Sequence, residues 1–128
     1  MEKINIKEML NISFGNKFLF HDDFFEEFTQ LVSNSGQEER IIGKLIDKLN
    51  AIIRLEDKDY GIKWLEHLKA YGNMYSLHID LNKINYRLLF SKTNDKKYFL
   101  HIFYEKSGKK ETAYDKHVEI AVKRRDGK

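Results

Sequence analysis

The chain has 128 residues, 41% of them apolar and 13% aromatic, enough for one domain with a core of its own and hardly two. No apolar run approaches a membrane span, the opening MEKINIKEML lacks the features of a secretion signal, and the absence of cysteine excludes disulfides and thiol chemistry, so the expected compartment is the cytoplasm. The formal charge of +3 is unevenly spread, since residues 1–82 hold 10 Lys/Arg against 14 Asp/Glu (net −4) and residues 83–128 hold 13 against 6 (net +7). Positive charge gathered in the last third is the electrostatic footprint of a polyanion binder, and it is equally what a lysine-solubilised C-terminal helix would show.

With no proline in the chain, boundaries fall at Gly, Asn, Asp and charge clusters. Residues 1–16 are weakly patterned and read as a peripheral, solvated extension with a turn or two of helix around Ile6–Leu10; residues 17–128 read as the domain proper. KFLFH (17–21) is apolar and short enough for a strand. DDFFEEFTQLVSN follows, with Asp22 or Asp23 expected to cap a helix whose Phe24, Phe25, Phe28, Leu31 and Val32 recur at helical spacing. After the break NSG (34–36), a second amphipathic helix carries Ile41, Ile42, Leu45, Ile46, Leu49, Ile52 and Ile53, so the two should form an antiparallel hairpin.

Residues 60–70, with Ile62, Trp64, Leu65 and Leu68, read as a short helix or irregular connection. YSLHIDL (75–81) then alternates strictly, with Tyr75, Leu77, Ile79 and Leu81 on one face and Ser76, His78 and Asp80 on the other. NK (82–83) is a turn into the strand INYRLLF (84–90), SKTNDKK (91–97) turns again, and YFLHIFY (98–104) is a third strand, apolar on both faces and therefore covered on both. The loop EKSGKKE (105–111) leads into a last helix, TAYDKHVEIAVKRR. The whole is an α+β domain in which a small, mostly antiparallel sheet, made of an N-terminal strand and a three-stranded meander, packs on the helical hairpin, with a C-terminal helix.

Arg87 stands in the middle of an apolar strand, where an arginine is rarely buried without a partner. It alternates out of step with Tyr86 and Leu88, and the register set by NK brings it beside His78 on one face. Lys106, Lys109 and Lys110 can arch over that surface, with Tyr104 and Tyr114 flanking the loop. Cutting RNA by attack of its own 2′-hydroxyl needs a base, cationic donors around the phosphorane and an acid for the departing 5′-oxygen. Histidine and lysine suit the acid–base roles, arginine the phosphate, and tyrosines stack on splayed bases. No metal or other cofactor is implied, and the histidine spacing suggests no metal site. The plainer alternatives are that His78 is a surface residue and that Arg87 pairs with Asp80 or a helix carboxylate. His101 reads as a packed sheet histidine, and His21, His67 and His117 as incidental.

These residues resemble a known family. Tyr86-Arg87-Leu88-Leu89-Phe90, Leu100-His101-Ile102-Phe103, Lys106 with Lys109, and Glu119-Ile120, Ala121 and Arg124 are similar in order and spacing to the C-terminal half of the RelE/HigB-type toxins, including their phage-derived members. The resemblance implies the toxin of a toxin–antitoxin pair, an mRNA interferase that cuts mRNA on the ribosome. It implies that Arg87 contacts phosphate, that His78 and Ser76 fall where some members carry two lysines, that Lys109 or Lys110 supplies the basic residue after the third strand, and that Tyr114 matches the tyrosine opening the last helix. Ser76 in place of a lysine leaves the base to His78 or a loop lysine, and Ala113 stands where a proline is common. The implied partners are a cognate antitoxin, of the helix-turn-helix type, and ribosome-bound mRNA. Operator DNA would be met only through the antitoxin, and no membrane partner is implied. The rivals are a ParE-like toxin that inhibits DNA gyrase by binding, and a non-catalytic RNA- or protein-binding module.

Overall fold

The computed structural model describes residues 5–55, 62–81, 84–93, 96–105 and 110–127, with the side chains of residue 84 and residues 110–113 left out. Its α+β architecture is a five-stranded sheet with helices on both faces.

The chain begins with α1 (Ile6–Phe14), capped by the Asn5 side chain, which accepts from Glu8 N at 3.0 Å. Ile6, Leu10 and Phe14, four residues apart, are all buried in the main core, so the expected solvated extension is instead a packed helix. β1 (Phe18–Phe20) follows, and then α2 (Asp22–Ser33). The cap of α2 is His21 rather than either aspartate, because its Nδ1 accepts from Asp23 N at 3.1 Å; Asp22 and Asp23 occupy the first turn, where a carboxylate meets the positive end of the helix dipole. Gly36, at φ 75°, makes the reversal into α3 (Glu38–Arg54), a conformation open to glycine at no steric cost. Ile41, Ile42, Leu45, Leu49 and Ile52 of α3 are buried, while Ile53 faces outward at 40% exposure.

β2 (Leu65–His67) is an edge strand where a helix or irregular connection was expected; it pairs antiparallel with β3 (Met74–Leu81). β4 (Ile84–Thr93) and β5 (Lys96–Tyr104) complete the meander, and β1 adds in parallel to β5, giving the order β1-β5-β4-β3-β2. The expected turn residues 82–83 and 94–95 lie outside the described residues.

Alternation holds as the sequence suggests. Leu77, Ile79, Leu81, Tyr86, Leu88, Phe90, Phe99 and Ile102 face the large core with α1, α2 and α3. Met74, Leu89, Leu100 and Phe103 face the other way and meet Val118 and Ala121 of α4 (Lys110–Arg125). A bulge between Leu89 and Phe90 sets Leu89 against His101 but Phe90 against Phe99, leaving Leu100 as the extra residue of β5. Such a bulge re-aims the side chains around it, and here His101 is turned toward α2 and α4. Because α4 covers only part of this second face, a cleft stays open beside it. No helix among the described residues is long and apolar enough to cross a membrane.

Candidate functional site

The cleft lies between α4 and the β2-β3-β4 end of the sheet and encloses about 500 Å³. Its floor is the pair His78 and Arg87, direct partners across β3 and β4, as the strand register had suggested. Tyr71 and Tyr114 form walls, and Glu66, Glu105 and Asp115 are the lining carboxylates.

Arg87 is buried, its side chain only 10% exposed, and its guanidinium already holds two carboxylates. Nη1 donates to Asp80 Oδ1 at 2.7 Å and to Tyr86 O at 3.1 Å; Nη2 donates to Glu105 Oε1 at 3.0 Å. Its buried Nε has no hydrogen-bond partner among the described residues. The expected alternative of a pair with Asp80 is therefore present, joined by Glu105, which β5 delivers directly after its last strand residue. The Glu105 backbone N–H donates to Asn85 O at 2.8 Å and fixes that carboxylate over the floor. A bidentate anion site needs a fork facing open space. Here the fork is closed by protein oxygen atoms.

His78 faces Glu66 Oε1 at 3.5 Å, an ion-pair distance longer than a good hydrogen bond, and its ring is held by β3, whose His78 N–H donates to Trp64 O at 2.8 Å. An imidazole that turns one ring N–H toward a carboxylate keeps its other nitrogen as an acceptor, which is what a general base needs.

Tyr114 reaches across from α4 and donates to Ser76 Oγ at 2.7 Å. Burial pushes its phenol up to about 12, so it stays protonated and serves as a strut and a wall rather than a proton acceptor. Ser76 is fully buried beneath it and is not among the residues lining the cleft. Tyr104 is on the opposite side of β5 and lines a different cavity, so it does not flank this cleft with Tyr114. Lys106 and Lys109 lie outside the described residues, as does the side chain of Lys110 at the start of α4.

The residues missed in the sequence are mostly acidic. Glu66 sits in a three-residue strand too short to show alternation, Glu105 follows an apolar run at the point where it leaves the sheet, and Asp115 is paired with Tyr71 Oη at 3.4 Å across a long sequence separation. Only Glu105 carried a legible signal, as the acidic residue one step beyond the strand facing Arg87. Among the described residues no group of three His, Cys, Asp or Glu is placed to hold a metal ion.

Compared with family models, curated proteins and solved structures, the chain has no match.

Proposed function

We propose that this chain is the toxin of a toxin–antitoxin pair, a ribosome-dependent mRNA endonuclease whose reaction takes place over the His78–Arg87 floor. The observation that carries the reading is the direct cross-strand pairing of His78 with Arg87 at the bottom of a tyrosine-walled cleft. The RelE/HigB resemblance, which rests in part on Arg87 itself, favours the same reading.

In this reading His78, oriented by Glu66, takes the proton of the 2′-hydroxyl. The freed oxygen attacks phosphorus, the bond to the 5′-oxygen breaks, and a 2′,3′-cyclic phosphate and a 5′-hydroxyl result. Lys109 or Lys110 protonates the departing oxygen, and Lys106 adds to the phosphate's surroundings. Arg87 stabilises the charge on the phosphorane, but it must first share its fork with phosphate or release Glu105. Tyr71 and Tyr114 give bases a surface to stack on. A cognate antitoxin of the helix-turn-helix type would cover the same face and be the only route to operator DNA.

A second reading is favoured by one specific observation: three carboxylates, Glu66, Glu105 and Asp115, line the cleft around a single arginine. An acidic, tyrosine-walled cleft suits a lysine or arginine side chain of a protein target better than it suits phosphate. That would make the chain a binding module or an inhibitor of the ParE kind, which cleaves nothing.

The two separate cleanly on purified protein given ribosomes programmed with a defined mRNA. The nuclease reading expects cyclic-phosphate ends, with the rate falling by about 10²–10³ in His78→Asn. Uncut mRNA, together with binding of an arginine-rich peptide that is lost in Glu66→Gln, would establish the second reading instead.

A further inference from the structure

On the far side of Phe103 from the cleft, four side chains with no part in the chemistry above are linked end to end. Arg124 of α4 grips Glu27 of α2 with both terminal nitrogens, Nη1 to Oε1 at 2.9 Å and Nη2 to Oε2 at 2.8 Å. His101 Nδ1 meets Glu27 Oε1 at 2.8 Å, and His101 Nε2 meets His117 Nδ1 at 2.7 Å. His117 stacks on Phe103 with ring centroids 4.1 Å apart and planes 5° from parallel. It also lines a cavity of about 400 Å³, together with Glu27, Gln30, Asn34, Phe103 and Tyr104.

The direction of this chain follows from its donors. Burial raises the Glu27 carboxyl, but hydrogen bonds from His101 and Arg124 outweigh it and bring the group down to about 2, so Glu27 is a carboxylate that can only accept. Arg124 Nη1 directs its two protons at Glu27 and at Leu100 O (2.7 Å), with His101 Nδ1 further off at 3.4 Å, so the proton in the 2.8 Å contact between His101 and Glu27 belongs to His101 Nδ1. When each ring carries one proton, His101 Nε2 is then an acceptor, His117 Nδ1 is its donor, and His117 Nε2 is left with a lone pair. Burial lowers His117 to about 4 and keeps that ring neutral.

We propose that the Glu27–His101–His117 relay is a second ligand site, separate from the Arg87 cleft, and that it takes a planar heterocycle donating a ring N–H flanked by carbonyl oxygens, of the uracil type. His117 Nε2 accepts that N–H. The carboxamides of Gln30 and Asn34 can donate to the flanking carbonyls, and the Tyr104 ring, 39% exposed, offers the stacking face. The site does not depend on the endonuclease reading, because none of its residues lines the cleft floor.

The test is imidazole ¹H–¹⁵N NMR on the full chain at pH 7, titrated with uridine, N3-methyluridine and cytidine. In the free protein His117 is expected as the Nδ1–H tautomer. Uridine should move the His117 ring nitrogens, and N3-methyluridine, lacking the one donor, should bind at least about tenfold more weakly. His117→Phe, checked for folding by its backbone spectrum, should abolish the uridine-induced shifts of the backbone amides around Phe103 and Tyr104 that the natural chain shows, and the exposed substitution Tyr104→Leu should weaken the His117 response without touching the relay. A His117 ring protonated on Nε2, no response to uridine at millimolar concentration, or equal responses to uridine and N3-methyluridine would each overturn the proposal.

Discussion

Arg87 shows most plainly how far a single residue could be read. Its place in the strand, its side of the sheet and its neighbour His78 all follow from alternation and from a two-residue turn. Its electrostatic state does not, because that depends on Glu105, which lies 18 residues further on, just past the end of the neighbouring strand β5, where alternation gives no signal. Removing the guanidinium leaves two carboxylates facing each other, one of them largely buried, so Arg87→Ala should lower stability by about 3 kcal/mol in chemical denaturation. Glu105→Gln keeps the shape and weakens the hold on Arg87, and phosphate or RNA should then bind more tightly than to the natural protein. Unchanged or weaker binding, measured by calorimetry, would mean the fork is not a contested anion site. The relay residues set the acid limb of stability. Glu27, at about 2 in the folded chain against an ordinary 4.5, contributes stability that is complete above 4.5 and lost as pH falls toward 2. His117, at about 4 against an ordinary 6.5, has the same sign: the unfolded chain takes the proton first, so its contribution is complete above 6.5 and lost as pH falls toward 4. Denaturation midpoints should therefore decline from about pH 6.5 downward, and His117→Gln should flatten the upper part of that decline.

At the scale of elements, the helices and strands that bury a long periodic stripe were legible. These are the phenylalanine-rich α2, the isoleucine-rich α3 and the three meander strands. What escaped was short or depended on distant partners. β2 has three residues and exists because β3 offers it an edge, and β1 pairs in parallel with β5 across most of the chain. The β5 bulge is invisible to alternation, yet it decides that His101 meets His117 and Glu27 rather than sitting passively in the sheet. α1 was underrated because its stripe of Ile6, Leu10 and Phe14 is only three residues long. Its burial has a direct consequence. Leu10 is wholly enclosed, so Leu10→Ala should cost about 3 kcal/mol, and a chain starting at residue 17 should melt at a much lower temperature than the full one. An unchanged melting point in the shortened chain would restore the view of residues 1–16 as an appendage.

Over the whole molecule, the opposed charges of the two parts of the chain, −4 over residues 1–82 and +7 over residues 83–128, are the most legible functional signal and also the coarsest. The basic side chains assigned to the proposed phosphate surroundings, Lys106, Lys109 and Lys110, follow β5 in the sequence, while the described cleft itself is acidic. Binding to ribosomes carried by those lysines should weaken steeply between about 50 and 200 mM salt, as sedimentation would show; salt-independent association would point to the cleft's carboxylates and tyrosines instead. The claim on which the functional account rests is that RNA is cut over His78 and Arg87. The most direct measurement is primer extension on mRNA from cells expressing the natural chain or a His78→Asn variant of equal abundance. New 5′ ends within translated codons, present with the natural chain and reduced by about 10²–10³ in rate with the variant, are the expected result. Growth arrest with intact mRNA, or cuts undiminished by the variant, would contradict it.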